Sequence, residues 1–146
     1  ASRLGISCIR TLQADGRTFR PKLAESADVV LCDVPCSGLG IIRKKPDIRY
    51  KDISALAGLP EVQRRILENA SRYVKPGGVL LYSTCTLLKR ENEEVVLPFL
   101  EAHSEFSLET MTLPPKLQAE PAGFLTLLSC LHHCDGFFFA KLRRRS

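Results

Sequence analysis

Two cysteines and one aspartate are the residues of this 146-residue chain whose types and spacing could do chemistry. An apolar run at residues 29–31 leads to Asp33, and a Pro-Cys-Ser-Gly turn that contains Cys36 follows it. A second strand-like run, residues 79–84, leads directly to Cys85. A thiolate is a strong nucleophile, and a carboxyl group can donate a proton as charge develops on a substrate. We therefore interpret the two turns as the halves of one nucleotide-modifying active site.

Two strands and one helix must position these side chains. The continuous apolar character of residues 27–33 predicts a strand that is buried on both faces. Apolar residues keep a helical period over residues 60–74, and the Lys-Pro-Gly-Gly segment at 75–78 is predicted to end that helix. The strand at residues 79–84 follows. Ligands bind at the carboxyl ends of strands in open α/β sheets, which is where the aspartate and the thiols would lie.

The remaining pattern predicts an α/β fold with an antiparallel strand pair at one edge of an otherwise parallel sheet. Asn92 is predicted to cap the second long helix with its side chain. The further segments are a strand at 6–14, a helix from 92 to about 103, a strand at 105–111, a loop at 112–135 and a strand at 137–142.

Charge and cysteine usage restrict the cellular context. The net charge of +5 is a mild indication of an anionic partner. No apolar run reaches the roughly 18 residues that a membrane span needs, and the first residues lack the build of a secretory signal. We therefore expect a cytoplasmic protein without a membrane partner, in which all six cysteines are reduced. Because no Met begins the chain, we expect it to be processed, trimmed or a fragment.

A basic segment follows the first cysteine turn. Cations suit contacts with phosphate groups, and an aromatic ring suits stacking against an unpaired base, so the segment predicts contact with RNA. A target base would have to leave its stack to reach the thiols. The candidate RNA-binding residues are Arg43, Lys44, Lys45, Arg49 and Tyr50.

Five motifs, in this order and spacing, resemble the Sun/Fmu-type RNA (cytosine-5) methyltransferases, most closely the bacterial enzymes that act on small-subunit ribosomal RNA. The resemblance implies a Rossmann-like class I methyltransferase sheet, S-adenosylmethionine as cofactor and RNA as partner. The motifs are DVPCSG at 33–38, RKKPDIRY at 43–50, KPGG at 75–78, YSTCT at 82–86 and DGFFFAKL at 135–142.

The resemblance also implies a role for each matching residue. Cys85 matches the nucleophile that adds to carbon-6 of cytosine, and Cys36 matches the second cysteine, which assists product release. Asp33 matches the acidic residue beside the target base and the reactive end of the cofactor, while Asp15 and Pro35 match further cofactor contacts. Residue chemistry alone does not decide which thiol attacks, because a Pro-Cys turn also carries the nucleophile in DNA cytosine methyltransferases.

The chain departs from the family pattern near its beginning. The Gly-rich loop of the cofactor site is absent, and the first two strands of the sheet are missing. We therefore expect residues 1–146 to be the C-terminal part of a single catalytic domain that binds cofactor weakly and is inactive alone. We also expect residues 1–26 to be displaced or the chain to self-associate through exposed strand edges. The alternative is a non-catalytic RNA-binding or interaction module built on this fold.

The segment Cys130-Leu-His-His-Cys134 invites comparison with a zinc site. Its spacing is not one of the usual ligand patterns, and no second Cys/His pair stands near it in the sequence. We therefore expect no metal site.

Overall fold

The computed structural model describes residues 2–52, 54–114, 117 and 123–146. Its strands and α-helices are β1 (Ala27–Asp33), α1 (Leu59–Ser71), β2 (Val74–Thr84), α2 (Glu93–Ala102), β3 (Phe106–Leu108), β4 (Phe124–Leu127), α3 (Ser129–His132) and β5 (Phe137–Arg144). Short 3-10 turns are formed by Ser2–Leu4, Pro21–Leu23, Leu39–Ile41, Pro46–Tyr50, Ser54–Leu56 and Lys89–Glu91.

The strands form one mixed sheet in the order β1-β2-β5-β3, with β4 also paired to β5. β1 and β2 run parallel, so that Asp33 lies opposite Ser83 near the carboxyl ends of both strands. β5 runs antiparallel to β2, β3 and β4. The predicted α/β fold with antiparallel pairing at one edge is therefore confirmed.

One face of the sheet carries the hydrophobic core. Side chains at alternate positions of β2 and β5, such as Tyr82 and Phe138, are fully buried there. α1 contributes Leu67 and α2 contributes Val96 to the same cluster. Because both long helices pack on this face, they fix the ends of β1 and β2 relative to each other.

The opposite face of β1 is open, contrary to the prediction of a strand buried on both faces. Val29 and Leu31 are 65% and 66% exposed, whereas Cys32 on the helix side is buried. A short apolar run is compatible with a strand that is covered on one face and with a strand that is covered on both faces. The sequence pattern therefore did not distinguish the two cases.

The predicted strand at 6–14 was wrong. The segment carries no strand, and residues 3–18 are exposed. A strand is stable only where a neighbour accepts its backbone hydrogen bonds, and within the described residues no strand pairs with the outer edge of β1. The following residues are attached to α1 instead, because the Asn69 amide donates to the carbonyl oxygens of Gly16 at 2.6 Å and Thr18 at 3.1 Å.

Two further boundaries differ from the prediction. The Lys-Pro-Gly-Gly segment lies inside β2, which begins at Val74, rather than between helix and strand. The expected loop at 112–135 contains β4, whose four residues extend the edge of the sheet beside β5; residues 115–116 and 118–122 lie outside the described residues. No helix in the described part of the chain is long and apolar enough to cross a membrane.

Candidate active site

The two cysteine turns meet at the carboxyl ends of β1 and β2. The Val34 amide still donates to the Ser83 carbonyl at 3.2 Å, so the chain leaves β1 directly alongside β2. The Cys36 and Cys85 sulfur atoms lie 3.0 Å apart, and the Cys85 amide donates to the Cys36 sulfur at 3.2 Å. The structure therefore brings together the two thiols that the sequence placed at separate strand ends.

The environment of Cys36 favours its protonated form. Burial, and the hydrogen bond with the Cys85 thiol, raise the pKa of Cys36 to about 12. At neutral pH this thiol therefore keeps its proton and can donate it towards the Cys85 sulfur. Both cysteines are half-buried and unbridged, so they remain accessible from the solvent side.

Both thiols open on a cavity of about 510 Å³. Its walls combine apolar Ile41 and Ile48 with the two sulfur atoms, and its charged groups come from one short segment. The charged residues that line it are Lys45, Asp47 and Lys51. A cavity of this size and mixture of apolar and charged groups suits a planar heterocycle attached to a phosphate backbone.

Two glycines hold the cysteine turns together by close backbone approach. The Gly40 amide donates to the Cys85 carbonyl at 2.9 Å, and the Gly136 amide donates to the Gly40 carbonyl at 2.7 Å. A Cβ atom on Gly40 would overlap the backbone of Gly136. A larger residue at position 40 would therefore push the two turns apart.

Asp33 does not line the thiol cavity. Its carboxylate accepts a hydrogen bond from the Ser83 hydroxyl at 2.9 Å and faces a second cavity of about 270 Å³. Pro35, the other predicted cofactor contact near this turn, is exposed, and its carbonyl accepts from the Gln63 amide at 2.9 Å. Of the three predicted catalytic residues, the structure thus brings Cys36 and Cys85 into contact, whereas Asp33 lines a separate cavity.

The second cavity has features that fit a nucleoside. Val30 and Ile66 supply apolar walls, and Asp15 lies at its rim with Asp33. The Asn69 side-chain oxygen, on a residue that lines it, is buried and has no hydrogen-bond partner. An amino group of an adenine would supply the missing donor. Since the volume falls below the roughly 300–1,000 Å³ of sites for drug-sized ligands, the described residues fit part of a large cofactor.

Asp15 is held in its charged form by a neighbour. Arg17 donates to it from its backbone amide at 2.9 Å and from its guanidinium at 2.7 Å. These hydrogen bonds lower the pKa of Asp15 to about 2. The carboxylate can therefore accept hydrogen bonds from a ligand at any physiological pH.

The predicted RNA-binding residues divide into two groups. Lys44 forms an ion pair of 2.5 Å with the buried carboxylate of Asp135, and Arg43 lies 3.8 Å from the same group. Lys45 lines the thiol cavity, while Arg49 is exposed. Tyr50 is 87% exposed, so its ring is available for stacking. Asp135 thus binds the start of the basic segment through Arg43 and Lys44. The rest of the segment begins with Lys45 at the thiol cavity and continues to the exposed Arg49 and Tyr50.

A buried polar network beneath the thiols was missed by sequence reasoning. It connects the fully buried carboxylate of Glu91 to the first cysteine turn and the buried amide of Asn92 to the second. Residues 91–94, Glu-Asn-Glu-Glu, have the composition of an ordinary helix start, so no signal in the sequence separated the buried pair from the helical residues. The other members of the network are Ser37, Gln63, Thr84 and Thr86.

No residue of the cysteine-histidine segment lines the thiol cavity. Cys130 is exposed on α3, and the Cys134 thiol donates to the Asp135 carbonyl at 3.2 Å. Among the described residues, no three His, Cys, Asp or Glu side chains are grouped so that they could hold a metal ion.

Comparison with known proteins assigns the arrangement to a family. The family model of the 16S rRNA methyltransferase RsmB/F matches residues 1–143. The chain belongs to this family. It is 38% identical to ribosomal RNA small subunit methyltransferase F of Enterobacter sp. (strain 638), over 98% of the chain and 31% of that protein. The corresponding Citrobacter koseri protein is 39% identical, with the same two coverages.

Solved structures support membership of the RsmB/F family. The crystal structure of PH0851 matches with a TM-score of 0.88 and 37% identity, covering 98% of the chain and 32% of that protein. The structure of NSun6 from Pyrococcus horikoshii with SFG matches with a TM-score of 0.76 and 28% identity, covering 99% and 37%. The sheet is therefore a Rossmann-like methyltransferase sheet. The chain spans about a third of the length of the curated relatives that it matches.

Proposed function

We propose that the protein to which this chain belongs methylates carbon-5 of cytosine in ribosomal RNA, with S-adenosylmethionine as methyl donor. Family membership supports RNA methylation, and the neighbour solved with SFG, an analogue of this donor, supports the cofactor. The observation that carries the cytosine-5 chemistry is the pair of thiols, 3.0 Å apart on one cavity. That chemistry requires one thiol to attack the ring and a second group to act when it leaves.

Cys85 is the proposed nucleophile. Its sulfur adds to carbon-6 of the base, and the electron pair of the carbon-5–carbon-6 double bond shifts to carbon-5, which becomes nucleophilic. Because Cys36 keeps its proton at neutral pH, it is the weaker candidate for attack. Lys45 and Lys51 line the same cavity as Cys85 and can hold the phosphate groups of the RNA beside it.

Cys36 is proposed to act at release. Once carbon-5 is methylated, its proton passes to water, the double bond re-forms and the bond between carbon-6 and the Cys85 sulfur breaks. The departing sulfur carries the returned electron pair, and the protonated Cys36 thiol at 3.0 Å is placed to donate a hydrogen bond to it. Release should therefore depend on Cys36 more than attack does.

The remaining predicted residues hold the donor and the RNA. When bound, S-adenosylmethionine supplies a methyl group on a positively charged sulfur. Asp15 and Asp33 are the carboxylates of the second cavity that would hold it, while Pro35 lies exposed in the turn between the two cavities. We propose phosphate contacts by Arg43, Lys44, Lys45 and Arg49 and base stacking by Tyr50.

Methyl transfer by the full-length protein tests the proposal. With labelled S-adenosylmethionine and ribosomal RNA, label should appear as 5-methylcytidine, and Cys85→Ala should abolish it. Cys36→Ala should instead trap RNA on the protein as a covalent complex. Cys130→Ala is the matched control, because that thiol is exposed and does not line the thiol cavity, and it should leave transfer unchanged. Label at another base, or transfer by Cys85→Ala, would contradict the proposal.

The chain by itself is proposed to be inactive. The cavity that Asp15 and Asp33 line fits only part of the donor, so its affinity should be weak. Titration calorimetry of this chain with S-adenosylmethionine should show no tight binding. A dissociation constant in the low micromolar range would overturn this part of the proposal.

A further inference from the structure

Glu91 and Asn92 are adjacent in sequence and hold one cysteine turn each. Both side chains are buried, at 0% and 2% exposure; Glu91 ends the short 3-10 turn Lys89–Glu91, and Asn92 follows it directly before α2. Neither was expected to contribute to the site. Their contacts are to the residues that flank the two cysteines and not to the cysteines themselves.

Glu91 fixes both neighbours of Cys36. One of its carboxylate oxygens accepts the Ser37 backbone amide at 2.9 Å and the Gln63 side-chain amide at 2.9 Å. The same Gln63 amide nitrogen donates to the Pro35 carbonyl at 2.9 Å. The residues before and after Cys36 are thus tied to a single buried carboxylate.

Asn92 fixes both neighbours of Cys85. Its side-chain oxygen accepts the Thr84 hydroxyl at 2.6 Å, and its amide nitrogen donates to the Thr86 carbonyl at 3.1 Å. The Ser37 and Thr86 hydroxyls, 2.7 Å apart, connect the two halves of the network. The thiol separation therefore depends on contacts made by two consecutive residues.

Ordinary helix capping does not explain these side chains. The position before α2 favours a side chain that caps the helix, yet Asn92 makes no such bond and uses both polar atoms on the Cys85 turn. Glu91 is costly to bury, because within the described residues its second carboxylate oxygen has no hydrogen-bond partner. The side-chain hydrogen bonds that both residues do make lead to the cysteine turns, directly or through Gln63.

We propose that Glu91 and Asn92 are positioning residues that act on different steps of the reaction. Glu91 sets the Cys36 thiol for release of the methylated base, and Asn92 sets the Cys85 sulfur for attack. This division rests on the proposed cytosine-5 chemistry, because only a reaction with separate attack and release steps distinguishes the two thiols.

Covalent RNA complexes of the full-length protein measure the two steps separately. Glu91→Leu should form the complex at nearly the normal rate but resolve it about 10–100-fold more slowly, the range for a slightly misplaced group. Glu91→Gln keeps an acceptor oxygen and should restore resolution to within a few-fold of the wild type. Asn92→Ala should slow formation of the complex by a similar factor without accumulating it.

Two variants separate positioning from loss of stability. Tyr82→Phe removes the hydroxyl that donates to the Glu91 carbonyl at 2.6 Å, so it weakens the same region without touching either cysteine turn. It should lower the melting temperature but leave resolution unchanged. Gln63→Met removes the contact to the Pro35 carbonyl and one of the two contacts to the Glu91 carboxylate, but leaves the Glu91 contact to Ser37 in place. It should slow resolution even if Glu91→Leu fails to fold.

The outcomes distinguish this inference from the proposed function. If Cys36→Ala accumulates the covalent complex but neither Glu91→Leu nor Gln63→Met does, Glu91 does not position the release step. If Tyr82→Phe accumulates it as strongly, the effect is one of stability alone. If Cys36→Ala forms no complex at all, the cytosine-5 chemistry itself is wrong.

Discussion

Individual thiols in this chain differ strongly in environment, and their reactivity should follow. Cys32 is 3% exposed, and burial raises its pKa to about 12, as it does for Cys36. Cys8 and Cys130 are exposed. Since the thiolate is the reactive form, a buried thiol with a raised pKa reacts slowly for two reasons.

Alkylation of the folded chain with iodoacetamide at pH 8, followed by peptide mass spectrometry, should therefore label Cys8 and Cys130 first. Cys36 should label more slowly, at a rate that still rises between pH 8 and pH 10, and Cys32 only after unfolding. The unfolded chain, in which all six thiols are equivalent, is the control. Rapid labelling of Cys36 at pH 8 would show that its proton is not held as described.

At the site, some functional residues could be predicted from the sequence and others could not. The two thiols could be predicted, because each followed a strand whose end lies at the functional edge of the sheet. Glu91 and Asn92 could not, because their importance comes from burial, which residue type alone does not encode. The predicted cap Asn92 illustrates this: it stands at the predicted position, but its side chain bonds to Thr84 and Thr86 instead of the helix.

Among the elements, β5 is held at the antiparallel edge by an ion-pair cluster. Glu109, just after β3, accepts from Arg143 through two guanidinium nitrogens and lies 2.5 Å from the Lys141 ammonium. Hydrogen bonds from Arg143 and then Lys141 lower the pKa of Glu109 from 4.5 to about 2. A carboxyl group with a lowered pKa stabilises the fold above its unfolded pKa and loses this effect as the pH falls.

Glu109→Gln should consequently lower the free energy of unfolding at pH 7 by up to about 1 kcal/mol, the range for partly exposed ion pairs. The difference from the wild type should shrink between pH 4.5 and pH 2 and vanish below that. Urea unfolding across this pH range measures it. Because other carboxylates also titrate here, only the difference is informative, and a difference independent of pH would rule out the cluster as its source.

The elements whose sequence pattern reports a local environment were predicted well. β1 has the predicted bounds, and α1 lies within one to three residues of the predicted helix, because the period of its apolar residues matches one packed face. Residues 6–14 failed because a strand also needs a neighbour, which the pattern of one segment does not reveal. β4 was missed because four residues beside β5 give too short a pattern to recognise.

The molecule as a whole leaves apolar surface uncovered on the sheet face opposite α1 and α2. Val29 and Leu31 of β1 are exposed there, at the edge strand of the sheet. Edge strands with apolar side chains pair with other chains unless a charge prevents it. We therefore expect this chain to self-associate.

Size-exclusion chromatography with light scattering should give a mass above 16.3 kDa that rises with concentration. Val29→Lys should reduce the association, because a lysine on an edge strand opposes pairing. Leu97→Lys, which also replaces an exposed apolar residue but on α2, should not reduce it. A concentration-independent mass of 16.3 kDa would contradict self-association through this edge.

The attack of Cys85 on the base is tested most directly by RNA in which the target cytosine carries fluorine at carbon-5. Fluorine cannot leave as a proton does, so the covalent complex persists after methyl transfer. Digestion of the complex formed by the full-length protein, followed by mass spectrometry, identifies the cysteine that carries the base. We predict the nucleotide on the peptide with Cys85, in the wild type and in Cys36→Ala alike. A nucleotide on Cys36 would contradict the account.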